Sequence, residues 1–361
     1  MLKLMMFLKK KKIHYKLSPQ SKFYDSMSAK WRPFIMFSQF SNVRSPYCNT
    51  DTFGLRFNNL KTLGQESTIF DQYKNSEKEE GVLIGNSLSF GEGQSSDGNT
   101  ISNLLSKKTK YNFYNLSGRG FSGLQEIINF LLFKNKLKKL KRILIISGLN
   151  DSYLPFVNNK FSEYLTPIFG YDKFISSMSK SSRGWKNMLL KFFLNPLIKK
   201  DIEFWEKLNL LNWKDEFFNK NFFKRKNPSN NDFDTMYKIY ERDIETWSII
   251  SKGLNLKIDY ILQPVGSWCK KNKTKEEQDI FLEEDNIKQL KKIFDQVNLE
   301  KYFQVKEIIT KITNKYSINF IDINQIINQN DYSKKWLFSG KFHLTDLGSE
   351  VVTDNIIKKV F

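Results

Sequence analysis

Near neutral pH the imidazole is the side chain best suited to moving protons, and this chain of 361 residues has only two, His14 and His343. His14 stands in a lysine-rich stretch expected to be a mobile arm, whereas a base must be held within hydrogen-bond reach of its partner. His343 opens His343-Leu-Thr-Asp-Leu-Gly348, just ahead of the last predicted helix. Alone, such a histidine is ordinarily a surface or capping residue. Ser87 gives it meaning. Gly85-Asn-Ser-Leu-Ser-Phe-Gly91 sets a serine at the carboxyl end of the first apolar strand, flanked by glycines. A nucleophilic hydroxyl needs that exposure and the backbone N–H groups a tight turn offers. A plain turn or helix cap has the same composition.

Nucleotide-binding readings of this glycine-rich turn are weak. A phosphate-cradling loop would need Gly-Lys-Ser/Thr, and no lysine occurs between 79 and 106. A dinucleotide fingerprint would need a third glycine after Gly91-Glu-Gly93, and Ser96 stands there. Further candidates fall at the ends of the next two strands: Gly120, then Gly148-Leu-Asn150-Asp151. A glycine N–H and an asparagine carboxamide are suitable donors to an oxyanion. Each alone is more simply a turn residue; their order at three successive strand ends is what argues for a site.

The elements that must position these groups are legible from Gly81 onward. Gly81-Val-Leu-Ile-Gly85, Tyr111–Asn115, Arg142–Ser147, Ile258–Leu262 and Ile318–Asp322 read as strands. Between them, Asp97–Thr100 offers caps for a helix beginning at Ile101. Helical spacing marks 124–133, about 284–313 and 345–360, the last with Asp346 as its expected cap. Strands alternating with helices predict a parallel sheet covered on both faces, an α/β fold of three layers with about five parallel strands in flavodoxin-like order. From about 152 to 230 the rhythm breaks into a stretch rich in Phe, Trp, Lys and Asn, expected to be a helical insertion after the third strand. Residues 1–75 carry no lasting period and read as an extended segment packed on the core domain, 76–361.

Composition excludes some functions. No apolar run approaches the ~20 residues that span a bilayer, and mean hydropathy is −0.49. Met1–Leu8 has too short an apolar core for a signal segment, and Lys9–Lys12 follow where small residues would be needed; peripheral membrane contact stays open. The net charge of +20 is spread along the chain without zinc-ligand clusters or an aromatic-basic RNA signature, so no nucleic-acid partner is expected. Cys48 and Cys269 lack ligand spacing and read as buried free thiols, which fits a reducing, cytoplasmic compartment.

Gly85-Asn-Ser-Leu, Gly120, Gly148-Leu-Asn-Asp and His343-Leu-Thr-Asp-Leu-Gly resemble, in order, the four blocks of the SGNH (GDSL-type) hydrolase family over roughly residues 80–361. Phe90-Gly-Glu-Gly93 with Ser95-Ser-Asp97 and Thr100-Ile101, and upstream Asp51-Thr-Phe-Gly-Leu-Arg56, resemble the subgroup often found with surface-polysaccharide genes. The resemblance implies Ser87 as nucleophile and His343 as base. It implies an oxyanion hole from the N–H groups of Ser87 and Gly120 and the Asn150 side chain, with Asn86, Gly148 and Asp151 in support; Asp151 is expected to fix its own turn. It implies a serine esterase, a carbohydrate O-deacetylase acting on a surface glycan or its precursor. The alternatives are a sugar O-acetyltransferase using the same acyl-serine and a non-catalytic glycan-binding descendant. The chemistry calls for no metal or organic cofactor, and the expected partner is a small-molecule or glycan ester. Two positions depart from the pattern. Asn86 replaces the usual aspartate before the serine. Gly340 stands where an acid three residues before the histidine would orient the imidazole.

Overall fold

A computed structural model describes residues 11–27, 29–32, 34–59, 67–157 and 230–361. Two short helices, α1 (Lys12–Leu17) and α2 (Pro19–Ser26), precede an antiparallel hairpin of β1 (Ala29–Arg32) and β2 (Met36–Gln39). The central unit then runs β3 (Glu79–Gly85), α3 (Ser87–Phe90), α4 (Ile101–Lys108), β4 (Tyr111–Asn115), α5 (Gly123–Phe133), β5 (Leu140–Ser147) and α6 (Leu149–Val157). It resumes with α7 (Asn230–Leu254), β6 (Lys257–Leu262), α8 (Lys275–Asp285), α9 (Lys288–Phe294), α10 (Leu299–Tyr316), β7 (Asn319–Asp322) and α11 (Ile323–Gln329). A small hairpin, β8 (Phe338–Gly340) and β9 (His343–Leu344), leads into α12 (Asp346–Val360).

The five strands β3–β7 form one parallel sheet in the order β4-β3-β5-β6-β7. Side chains alternate across it, as strand geometry requires. Val82, Ile84, Ile143 and Ile145 pack with Ile127 and Phe130 of α5, Tyr240, Ile244 and Trp247 of α7 and Val305 and Ile309 of α10. Leu83, Leu144 and Ile146 face the other way, onto Ile101 and Leu105 of α4, Ile323 of α11 and Val351, Val352 and Ile356 of α12. Strands buried on both faces read as unbroken apolar runs, which is why these segments stood out in the sequence. The result is a three-layer α/β/α fold in flavodoxin-like order. The chain leaves β3 to one side for β4 and returns to the other for β5. The carboxyl end of β3 is thus the switch point where open α/β sheets form their clefts.

Three sequence expectations change. Lys12–Leu17 and Pro19–Ser26 are helical although no apolar period announces it. The Glu283 carboxylate accepts the backbone N–H groups of Ile13 and His14 at 2.8 Å each, a cap supplied by a distant helix, and Pro19 opens α2 with its φ already suitable. His14 is therefore buried rather than on a mobile arm. The α12 cap is Thr345, whose hydroxyl accepts the Gly348 N–H at 3.0 Å; Asp346 instead accepts from the Ser95 N–H and hydroxyl. The stretch expected to hold one helix at 284–313 is split among α8, α9 and α10. The expected insertion at about 152–230 lies outside the described residues apart from its edges in α6 and α7. Cys48 and Cys269 are buried free thiols. Among the described residues no helix is long and apolar enough to cross a membrane.

Candidate active site

Ser87 begins α3 directly after β3. Gly85 lets the turn lie close on the sheet: a Cβ there would stand 2.1 Å from the Ile146 carbonyl oxygen. The Asn86 side chain caps the turn, accepting the Leu88 N–H at 3.1 Å, and its Nδ2 donates to Oε1 of Gln263 at the end of β6. The Ser89 hydroxyl donates to the Ile146 carbonyl at 2.8 Å. From behind, the buried Arg56 guanidinium donates to the Gly91 carbonyl at 2.6 Å and pairs with Asp97 at 2.8 Å. The Asp51–Arg56 segment singled out in the sequence thus braces the serine turn.

His343 arrives on the far hairpin. Its Nε2 lies 2.9 Å from Ser87 Oγ across 256 positions of sequence, and the side chain is 27% exposed. Gly93 (φ +99°) allows this approach. A Cβ at Gly93 would sit 2.4 Å from Ser339 Oγ, 2.7 Å from the Leu344 carbonyl oxygen and 3.4 Å from His343 Cβ. Ser87 and Gly120 share a further property: among the described residues neither backbone N–H donates a hydrogen bond. For Ser87 this follows from its place in the first turn of a helix.

Asn150 does not simply point its carboxamide at the serine. Its Nδ2 donates to the Phe121 carbonyl at 2.7 Å, which fastens the Gly120 loop to the start of α6 and leaves the second N–H of that amide. Gly148 precedes it at the close of β5, and its carbonyl accepts from the Tyr240 hydroxyl. Asp151 accepts the Gly123 N–H at 3.0 Å and so ties the start of α6 to the start of α5.

At Gly340 the carboxylate of Glu284 fills the gap. A Cβ on Gly340 would be 2.9 Å from Glu284 Oε1, and Oε2 accepts the Lys341 N–H at 3.0 Å in the turn between β8 and β9. His14 Nδ1 lies 3.8 Å from Glu284 Oε1, and among the described residues neither ring nitrogen of His14 has a hydrogen-bond partner. Burial pushes the Glu284 carboxyl up to about 7, against the charge of Lys11 and the Lys341 N–H. Burial and then Lys11 bring His14 down to about 3, so its ring is neutral.

Sequence reasoning missed Glu92 and Arg119. Glu92 follows the Ser87 turn and its Oε2 is 3.9 Å from His343 Nε2. Arg119, next to Gly120, grips it in a two-pronged pair at 2.6 and 2.9 Å and also donates to the Met27 carbonyl at 3.2 Å. Burial alone would raise the Glu92 carboxyl. Arg119, and after it His343, outweigh that and hold it below the usual carboxylate range. His343 is held below the ordinary imidazole value by burial, with Arg119 and Lys11 adding to this and Glu92 and Asp25 opposing. Gly91-Glu-Gly93 in a strand-end turn was the only local signal; the partner 27 positions on gave none.

No family model and no curated protein sequence matches the chain. Among solved structures it is similar to a lipase/acylhydrolase from Enterococcus faecalis, at 10% identity and TM-score 0.41, covering 78% of this chain and 95% of that one. It is also similar to the acetyl xylan esterase AlAXEase (13%, TM-score 0.39, 78% and 100% covered). A member of the lipolytic protein G-D-S-L family from Veillonella parvula DSM 2008 aligns in the same way (12%, TM-score 0.39, 78% and 98% covered). With identities this low and TM-scores below 0.5, the chemistry has to be judged on the chain's own side chains.

Proposed function

We propose that the protein is a serine esterase of the SGNH type in which Ser87 is the nucleophile and His343 the general base. The observation that carries this reading is the 2.9 Å contact between Ser87 Oγ and His343 Nε2 at the switch point of the sheet. In the first half-reaction Ser87 Oγ attacks the ester carbonyl carbon while its proton passes to Nε2. The oxyanion is received by the N–H groups of Ser87 and Gly120, with the second Asn150 amide proton as a third donor. Collapse expels the alcohol oxygen, which takes the proton back from the imidazolium and leaves an acyl-serine. Water then attacks with His343 again removing the proton, and the acid departs.

The finer reading, a carbohydrate O-deacetylase acting on a surface glycan or its precursor, is supported by the likeness of Phe90–Ile101 to the polysaccharide-associated subgroup. A sugar hydroxyl in place of water would make the same acyl-serine an acetyltransferase intermediate; free acetate against a newly acetylated sugar separates the two. The decisive experiment is hydrolysis of p-nitrophenyl acetate by the wild type, Ser87→Ala and His343→Ala. Each substitution is expected to lower kcat/KM by at least about 10³-fold. Equal rates in all three proteins would end the esterase reading.

A further inference from the structure

We infer that Glu92 is the carboxylate that stabilises the charged imidazole of His343, taking over the electrostatic task of the acid absent at Gly340, with Arg119 fixing it in place. The inference rests on reading Ser87 and His343 as nucleophile and base. When Ser87 Oγ–H gives its proton to Nε2, the ring becomes a cation in partly buried surroundings. An opposite charge within about 4–6 Å favours that form. Glu92 Oε2 is 3.9 Å from the nitrogen that receives the proton, and its own position is set by two hydrogen bonds from Arg119. No proton need pass to it: the proton moves from Oγ to Nε2 and onward to the leaving oxygen, while Glu92 stays ionised.

The neighbouring charges leave this role to Glu92. Arg119, from the β4 loop, repels the imidazolium but is itself neutralised by Glu92. Lys11, ahead of α1, is neutralised by Asp25 of α2 at 2.9 Å. His14 of α1 is neutral. Lys341 in the hairpin turn pairs with Asp285 of α8. Glu284, also from α8, is the other candidate. Its Oε2 serves the Lys341 N–H, its Oε1 turns toward His14, and it makes no ion-pair contact with His343. Glu284 therefore holds the hairpin, and Glu92 answers the charge. This division differs from the usual triad, where one carboxylate both orients the ring through Nδ1 and balances its charge.

Because the chain has only two histidines, titration followed by imidazole NMR reads His343 directly, with His14→Gln assigning the other signal. Glu92→Gln keeps the shape of the side chain and removes its charge. The pH at which His343 is half-protonated is expected to fall by about one pH unit, while Glu92→Asp keeps most of the wild-type midpoint. An unchanged midpoint in a folded Glu92→Gln protein overturns the inference. Arg119→Gln removes both a cation beside the ring and the grip on Glu92, so it serves as the reference for the double variant Glu92→Gln/Arg119→Gln, whose midpoint is expected to lie lower. If Glu92→Gln does not fold because Arg119 is left stranded, equal midpoints in Arg119→Gln and the double variant overturn the inference just as firmly. The titration needs no substrate. Loss of the esterase reading would show as equal ester hydrolysis by wild type and Ser87→Ala, whereas loss of this inference would show as an unmoved His343 signal with hydrolysis intact.

Discussion

Two buried groups of carboxyls lie near the carboxyl edge of the sheet, and they behave in opposite ways. Beside His343, Glu92 shares its burial with Arg119 and stays charged. Under the Gly148 turn, Glu126, Asp151 and Asp243 are packed together; a Cβ on Gly123 would lie 2.4 Å from Asp243 Oδ2 and 3.3 Å from Asp151 Oδ2. Here, among the described residues, Asp151 Oδ1 and Asp243 Oδ2 have no hydrogen-bond partner, and Arg242 pairs with Oδ1 of Asp243. Burial raises all three carboxyls, and repulsion from its neighbours adds to this for Glu126 and for Asp243. The lesson is that depth alone does not decide what a carboxyl can do. A cation built into the cluster keeps a charge available for electrostatic work; without enough cation the same residue types hold their protons to higher pH.

The two groups should therefore respond to pH with opposite signs. Glu92, lowered on folding, contributes stability above its unfolded value that is lost as pH falls through the folded one. The acid cluster, raised on folding, contributes stability at low pH that is lost as pH rises from the ordinary carboxyl range to about 7. The largest effect is expected for Arg119→Gln, which strands the Glu92 charge. Urea unfolding at pH 7 should show a loss of about 3 kcal/mol, shrinking at a pH low enough to protonate Glu92. A loss that is the same at every pH would mean that only packing had been removed. A smaller, opposite effect is expected for Asp243→Asn. It should stabilise the protein by on the order of 1–2 kcal/mol at pH 8 and leave it nearly unchanged at pH 5; destabilisation at pH 8 would show that Asp243 is ionised and useful there. The smallest effect is expected for Glu126→Gln, an amide in place of a carboxyl that burial pushes well above its usual range and that already accepts from the Ser147 hydroxyl at 2.7 Å. At pH 6 thermal melts should move by no more than about 0.5 kcal/mol equivalent, and a drop beyond about 2 kcal/mol would mean the group carries charge in the folded state.

How much of this was legible in the sequence follows from where each signal resides. Strands such as Ile143–Ile146 are apolar throughout because both faces are covered, so their local composition is enough. Ser87, Gly120, Asn150 and His343 stood out because they end such strands or open a helix. Helix α1 did not, because Lys-Ile-His-Tyr-Lys-Leu has no apolar face of its own and takes its first hydrogen bonds from Glu283, some 270 positions away. The Thr345 cap was hidden by its neighbour: threonine and aspartate are both good caps, and only the presence of Ser95 diverts Asp346. The Glu92–Arg119 pair was unreadable for the same reason, since its meaning lies between two turns. Local rules found what one segment encodes, and missed what two segments make together.

The hairpin carrying His343 and the helix beginning at Lys12 come from opposite ends of the described chain, and both close on Glu283 and Glu284 of α8. Contacts of such long sequence separation form late, because a large loop must be ordered before they can reward it. During synthesis the Ser87 turn would leave the ribosome more than 250 residues ahead of its imidazole. A nascent or C-terminally truncated chain would thus carry an unarmed hydroxyl, and reactivity would switch on only when the last hairpin docks.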